Sequence, residues 1–268
     1  MELAPSATGL PVASDRHKSV AGTYNLRDTG GYTASAGQTR WGKLFRSDAL
    51  HQLTDDSRAS LAALGITLVI DLRDDSELLS SPSRLEGTDI TIIHTPIYTS
   101  TPSFTSLGEV TLAGLYRVMV REYGHNLARA VGLIARSSDA PVLVHCTAGK
   151  DRTGLVVALA LLAAGVDRAD VVADYAATEQ NLRGEWAGTM LARMTEGGYP
   201  VTAAIEQIVT ASPPEVLEDI LAVIEAEHGS VESYLLAHGL APDDLDLLRT
   251  ALVEPAKPTT TPTEESAS

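Results

Sequence analysis

The chain is poor in cysteine, in aromatic residues and in positive charge, and it has no long apolar run. One cysteine, Cys146, stands among 268 residues, so no disulfide can close within the chain and no cysteine-rich zinc cluster can form. No stretch reaches the roughly 18 apolar residues of a membrane-spanning helix. The first residues mix small, polar and charged types without an apolar centre, so no secretory leader is visible. The expectation is a cytoplasmic protein with no integral membrane segment. Lys and Arg number 20 against 35 Asp and Glu, a formal charge of −15. That excludes the broad basic surface of a nucleic-acid binder and docking onto anionic membrane by charge alone. An anionic substrate would need a local positive pocket inside a negative envelope.

What is present is a 44% apolar content, enough to bury a core in one large domain. Residues 1–16 are rich in Pro, Ser and Ala, and residues 254–268 in Pro, Thr, Ser and Glu. Both are expected to be disordered, leaving 17–253 as a single domain. Within it, Lys43 to Arg46 reads as a short strand running into Ser47 and Asp48. Thr54 reads as the N-cap of a helix through Leu64, closed by Gly65. Ile66 to Leu72 is a β-branched run suited to a buried parallel strand, and Asp89 to His94 and Pro141 to His145 read as further strands. Leu112 to Ala135 has the period of one long amphipathic helix, with Tyr116 and Tyr123 in its core stripe. A buried helix follows from Arg152 to Gly165, and another spans Asp167 to Asn181. Ser212 with Glu215 predicts a capping-box helix ending at Gly229, and Pro242 opens the last helix. Strands alternating with helices, then helices alone, predict an α/β fold: a central, mostly parallel sheet flanked by helices, with a helical C-terminal layer.

The chemistry concentrates where the PVLVH strand meets its helix, in His145-Cys146-Thr147-Ala148-Gly149-Lys150-Asp151-Arg152-Thr153-Gly154. Free backbone N–H groups from Thr147 onward, at the positive end of a helix, make an anion cradle. Gly149 and Gly154 allow tight turns and close packing. The planar fork of Arg152 suits two phosphate oxygens. The same positive cradle favours the thiolate of Cys146, the nucleophilic form. Thr153 is placed to hydrogen-bond that sulfur. A nucleophile inside an anion cradle implies attack on phosphorus, a phosphocysteine, then hydrolysis to inorganic phosphate. The nucleotide-binding loop is a poor rival: Val144 replaces its first glycine, and Asp151 stands where its magnesium-binding hydroxyl belongs.

This loop resembles the signature of the protein tyrosine phosphatase superfamily, and its Gly-Lys-Asp-Arg-Thr-Gly wording resembles the bacterial branch that includes mycobacterial enzymes. The likeness extends to Asn25-Leu26-Arg27-Asp28-Thr29-Gly30-Gly31-Tyr32, to Leu44-Phe45-Arg46-Ser47, to Ile70-Asp71-Leu72-Arg73 and to Gly229 through Leu235. It implies a cysteine-dependent phosphomonoester hydrolase needing no cofactor or metal, with Cys146 as nucleophile and Arg152 as phosphate clamp. Phosphotyrosyl protein is the first implied substrate, with dual specificity admitted. A phosphoinositide phosphatase and a catalytically weak phosphate-binding module are the alternatives.

The relatives implied here can carry a general acid in a Pro-x-x-Asp setting; this chain has Pro96-Ile97-Tyr98-Thr99, with no carboxylate before Glu109. Asp151 is therefore the candidate acid/base, or else a partner for Lys150 or Arg27. The resemblance implies a second phosphate or an inositol headgroup for Lys150; a solvated surface lysine is the alternative. His145, Asn25, Arg27 and Asp28 are expected to support the loop, with Arg46 and Asp48 in similar roles. The Ser/Thr-rich Thr99 to Val110 is a candidate lid.

Overall fold

The computed structural model describes residues 16–98, 111–137 and 140–255. The proposed lid at 99–110 and nearly all of both terminal segments lie outside the described residues. The strands are β1 (Arg27–Asp28), β2 (Thr33–Ala34), β3 (Gly37–Thr39), β4 (Leu44–Ser47), β5 (Leu68–Asp71), β6 (Thr91–His94), β7 (Val142–His145) and β8 (Val253–Pro255). The helices up to the signature loop are α1 (Asp55–Ala63), α2 (Asp75–Ser80), α3 (Leu112–Glu122) and α4 (Gly124–Ala135). After it come α5 (Asp151–Ala163), α6 (Arg168–Leu182), α7 (Glu185–Glu196), α8 (Ala203–Thr210), α9 (Pro214–His228), α10 (Val231–Ala237) and α11 (Pro242–Leu252).

The main sheet runs in the order β1-β4-β7-β5-β6, with β1 antiparallel to β4 and the other pairs parallel. Its central strands are apolar on both sides because both faces are covered. Side chains alternate along a strand, so Val142 and Val144 join the larger core with α4 and α5, while Leu143 joins Phe45, Val69 and Leu61 of α1 on the other face. The mostly parallel sheet with helices on both faces and a helical C-terminal layer agrees with the sequence expectation.

Four local differences carry physical reasons. The long helix predicted over 112–135 is two helices, broken at Tyr123 (φ −116°, ψ 21°). At the next residue, Gly124, a Cβ would lie 2.3 Å from the His238 ring; the chain turns there to let α10 approach, and the apolar period continues through the break. Ser212 is not an N-cap: Pro213 holds that position, and the Ser212 N–H donates to Glu179 at 3.2 Å. The last third is not wholly helical, since Glu254 and Pro255, expected in the tail, form β8 against β3. At the other end Arg16 lies against the Tyr32 ring, 3.9 Å from its centroid.

Candidate active site

The signature loop joins β7 to α5, with its carbonyls tied down behind it. Asn25 Nδ2 donates to the carbonyls of Ala148 (3.0 Å) and Gly149 (3.1 Å), and Arg46 Nη2 donates to Gly149 at 2.7 Å. A planar trans peptide points its N–H opposite its C=O. Holding these two oxygens outward therefore turns the N–H groups of Gly149 and Lys150 toward the concave side. The N–H groups of Thr147 through Lys150 have no hydrogen-bond partner among the described residues. Gly149 has φ +64°, and a Cβ there would sit 2.2 Å from the Ser47 carbonyl oxygen, so only glycine fits. Cys146 is buried at the base of this cradle, 2% exposed, beside the N-terminus of α5.

The ground behind the loop is ionic and buried. Asp174 accepts from Arg27 Nε at 2.9 Å and Arg46 Nη1 at 2.5 Å. Arg27 also donates to the Asp174 carbonyl and Thr178 Oγ1 and to both oxygens of Asn25. Burial would raise the Asp174 carboxyl, but Arg27 and Arg46 pull it well below the usual range. Two guanidinium groups sharing one carboxylate leave an excess positive charge directly under the phosphate cradle, which the overall acidity of the chain would not supply. Asp28 accepts from the Gly30 and Gly42 N–H groups and closes the N-terminal turn. Asp48 accepts from the Tyr24 and Asn25 N–H groups, both at 2.9 Å, and so orients the Asn25 that holds the loop.

Arg152 is gripped by a residue that sequence reasoning passed over. Its Nη1 and Nη2 donate to Glu77 Oε2 (2.5 Å) and Oε1 (2.8 Å), and the hydroxyl of Thr147 donates to the same carboxylate. Burial raises the Glu77 carboxyl; the Arg152 bonds and charge outweigh it, and the net direction is down. Of the five guanidinium N–H groups, three remain for a ligand. The Tyr98 ring covers the guanidinium at 4.9 Å. A signal for Glu77 was present: Asp74-Asp75-Ser76-Glu77 is a capping box, realised at the start of α2, just beyond the carboxyl end of β5, where α/β sites collect.

Asp151, at the first position of α5, is 24% exposed at its side chain. Its Oδ1 accepts from the Tyr116 hydroxyl at 3.0 Å, and that hydroxyl lies 2.9 Å from Tyr175 Oη. Tyr116 has one proton and the carboxylate takes it, so Tyr175 donates the second bond. Burial first, then Asp151, push the Tyr116 phenol far above its usual range, so it stays a donor. Lys150 is 1% exposed. Its ammonium donates to the Ile208 carbonyl and, at 2.9 Å, to that of Ala211, and sits 3.5 Å from Asp151 Oδ1. The expected reach toward a headgroup is absent in this arrangement, because the open carbonyls at the end of α8 take the charge. His145 approaches the Cys146 carbonyl at 3.1 Å and Asp71 at 3.4 Å, and burial lowers its basicity. Asp71 itself is paired with Arg73 at 2.6 Å. Thr153 Oγ1 is buried with no hydrogen-bond partner among the described residues.

A cysteine and an arginine in one anion cradle, at the carboxyl end of a parallel sheet, define a phosphoryl-transfer site of the cysteine-dependent kind. The sequence pattern of the tyrosine phosphatase family matches residues 18–254, and the chain belongs to that family of phosphatases. It is 31% identical over 280 residues to the triple specificity protein phosphatase PtpB of Mycobacterium tuberculosis, covering 88% of this chain and 99% of that one. A tyrosine-protein phosphatase of Nostoc commune is 31% identical over 222 residues, 77% of this chain and 73% of its own. Among solved structures, TpbA of P. aeruginosa overlaps 78% of this chain and 86% of its own at 18% identity, with a TM-score of 0.33.

Proposed function

We propose that the chain hydrolyses phosphotyrosine in proteins, with phosphoserine and phosphothreonine as further substrates, through a phosphocysteine intermediate and without a metal. The observation that carries this is the loop itself: N–H groups of Thr147 to Lys150 without a partner among the described residues, those of Gly149 and Lys150 turned to the concave side of the loop that runs from Cys146 to Arg152. The Cys146 thiolate attacks phosphorus as the bond to the leaving oxygen breaks. Asp151 gives that oxygen its proton. Water then attacks phosphorus, Asp151 takes the water's proton, and the P–S bond breaks to return thiolate and release inorganic phosphate. Arg152 and the amides stabilise the equatorial oxygens, Glu77 fixes the plane of Arg152, and Tyr116 holds Asp151. Asn25, Arg27, Asp28 and His145 keep the loop in shape, and the unpartnered Thr153 hydroxyl is available to the sulfur. The nucleophile must stay a free thiolate, which suits a reducing, cytoplasmic setting. The phosphoinositide reading leaned on Lys150, whose ammonium is spent on α8.

The test is turnover of an aryl phosphate with chelator present, beside Cys146→Ser and Asp151→Asn. The unmodified protein should be active, Cys146→Ser inactive, and Asp151→Asn slowed with its pH–rate profile altered. Activity surviving in Cys146→Ser would sink the mechanism, and an unchanged profile in Asp151→Asn would remove Asp151 from it.

A further inference from the structure

Beside the signature loop, on the side of Glu77, lies a cleft of 270 Å³ between α2 and α7, with Thr147 and Glu77 in its wall. Most of its charged groups are committed elsewhere. Glu77 holds Arg152 and Thr147 and Arg73 holds Asp71 and the Ser81 carbonyl, while Glu185 lies near Tyr24. One cation remains. The side chain of Arg193, exposed on α7, has no hydrogen bond or ion pair among the described residues. The His51 ring beside it has its Nδ1 closed off from solvent, and burial, with Arg193 and Arg73 close by, lowers its basicity. Trp186 and Met190 of α7 add an apolar side. The cleft thus shares two residues with the phosphate cradle and offers one cation with no ion pair among the described residues.

We propose that this cleft is a second recognition site, receiving an acidic side chain that flanks the phosphorylated residue of a peptide substrate. The inference rests on the phosphatase reading above. In a chain of formal charge −15, an acidic peptide is repelled over most of the surface, so a local cation beside the reacting group discriminates strongly between flanking residues.

The experiment compares two phosphotyrosyl peptides that differ only in a flanking Glu or Gln, beside an aryl phosphate. The unmodified protein should favour the Glu peptide in kcat/KM, and the preference should shrink as salt rises. Arg193→Ala should cut kcat/KM for the Glu peptide about fivefold through KM, the scale of one partly exposed ion pair, and Arg193→Lys should recover most of it. Equal use of both peptides by the unmodified protein would overturn the inference, as would a preference that Arg193→Ala leaves intact. A soluble bisphosphorylated inositide outcompeting both peptides in an Arg193-dependent way would also overturn it. No turnover of even the aryl phosphate would instead strike the phosphatase reading beneath it.

Discussion

The ground behind the signature loop and the α7–α8 hairpin beside it are built in opposite ways. Behind the loop, Arg27, Arg46, Asp174 and Asn25 are all buried, and each is tied to another or to a loop carbonyl. In α7 and α8 no residue is buried at all. The hairpin meets the body partly through polar ends, the Lys150 ammonium on the last carbonyls of α8 among them. Under the function and the cleft proposed above, chemistry that needs fixed donors would sit on the first kind of ground, and recognition that must admit varied substrates against the second. Lys150 belongs to both, as a residue of the catalytic loop whose charge is used to hold the hairpin.

The comparison is broken most easily at Asp174. Asp174→Asn leaves two buried guanidinium groups without a counter-charge and should cost about 3–5 kcal/mol of stability at neutral pH, read from urea unfolding. The folded carboxyl is held below its unfolded value, so its contribution is full above about pH 4 and is lost as pH falls through the folded value; the deficit of the variant should narrow in strong acid. A loss under 1 kcal/mol would mean the ground is not the rigid base described. Next in size is Glu77→Gln, which keeps the shape and removes the charge under Arg152. The expected fall in kcat/KM is about tenfold to hundredfold, the scale of charge-assisted hydrogen bonds, with a smaller effect on the urea midpoint. An unchanged rate would make Glu77 a helix cap and no more.

These residues also show what was legible in the sequence. The loop was legible because it is one contiguous string after a buried strand, its backbone geometry written in its own glycines. Glu77 was legible as a helix start but not as the partner of Arg152, 75 positions away, because a capping box reports only local bonds. Tyr116 was read as core from its period, correctly as to burial. The period is silent on what its hydroxyl meets, and that is Asp151, 35 positions on. For Lys150 the expectation was an exposed or ligand-facing ammonium. Only the packing of α8, itself unforeseen because its apolar residues stay half exposed, shows where the charge goes.

A third, smaller test sharpens the rigid side. Burial pushes the Asp48 carboxyl up to about 6 despite its hydrogen bonds. Its unfolded value is about 3.9, so the folded state binds more proton and the charge costs stability above pH 6, with no cost below about pH 4. Asp48→Asn keeps an acceptor for the Tyr24 and Asn25 N–H groups and deletes the charge. It should stabilise by about 1–2 kcal/mol at pH 8 and by nothing at pH 4, measured by urea unfolding at both. Destabilisation at pH 8 would show that the charge itself is needed to hold Asn25.

The smallest effect is the most discriminating for the hairpin. Gly188 is the fourth residue of α7, exposed, and a Cβ there would meet nothing within 4 Å. Gly188→Ala should then stabilise α7 by about 1 kcal/mol through helix propensity alone, slowing amide exchange within α7 about fivefold. If the hairpin opens before the body unfolds, that gain is already lost at the global transition, and Tm should move by less than about 1 °C. Were α7 instead to melt with the body, the same 1 kcal/mol would raise Tm by about 2–4 °C for a domain of this size. The larger shift would join the hairpin to the core as one cooperative unit, and the division between fixed chemistry and yielding recognition would fail.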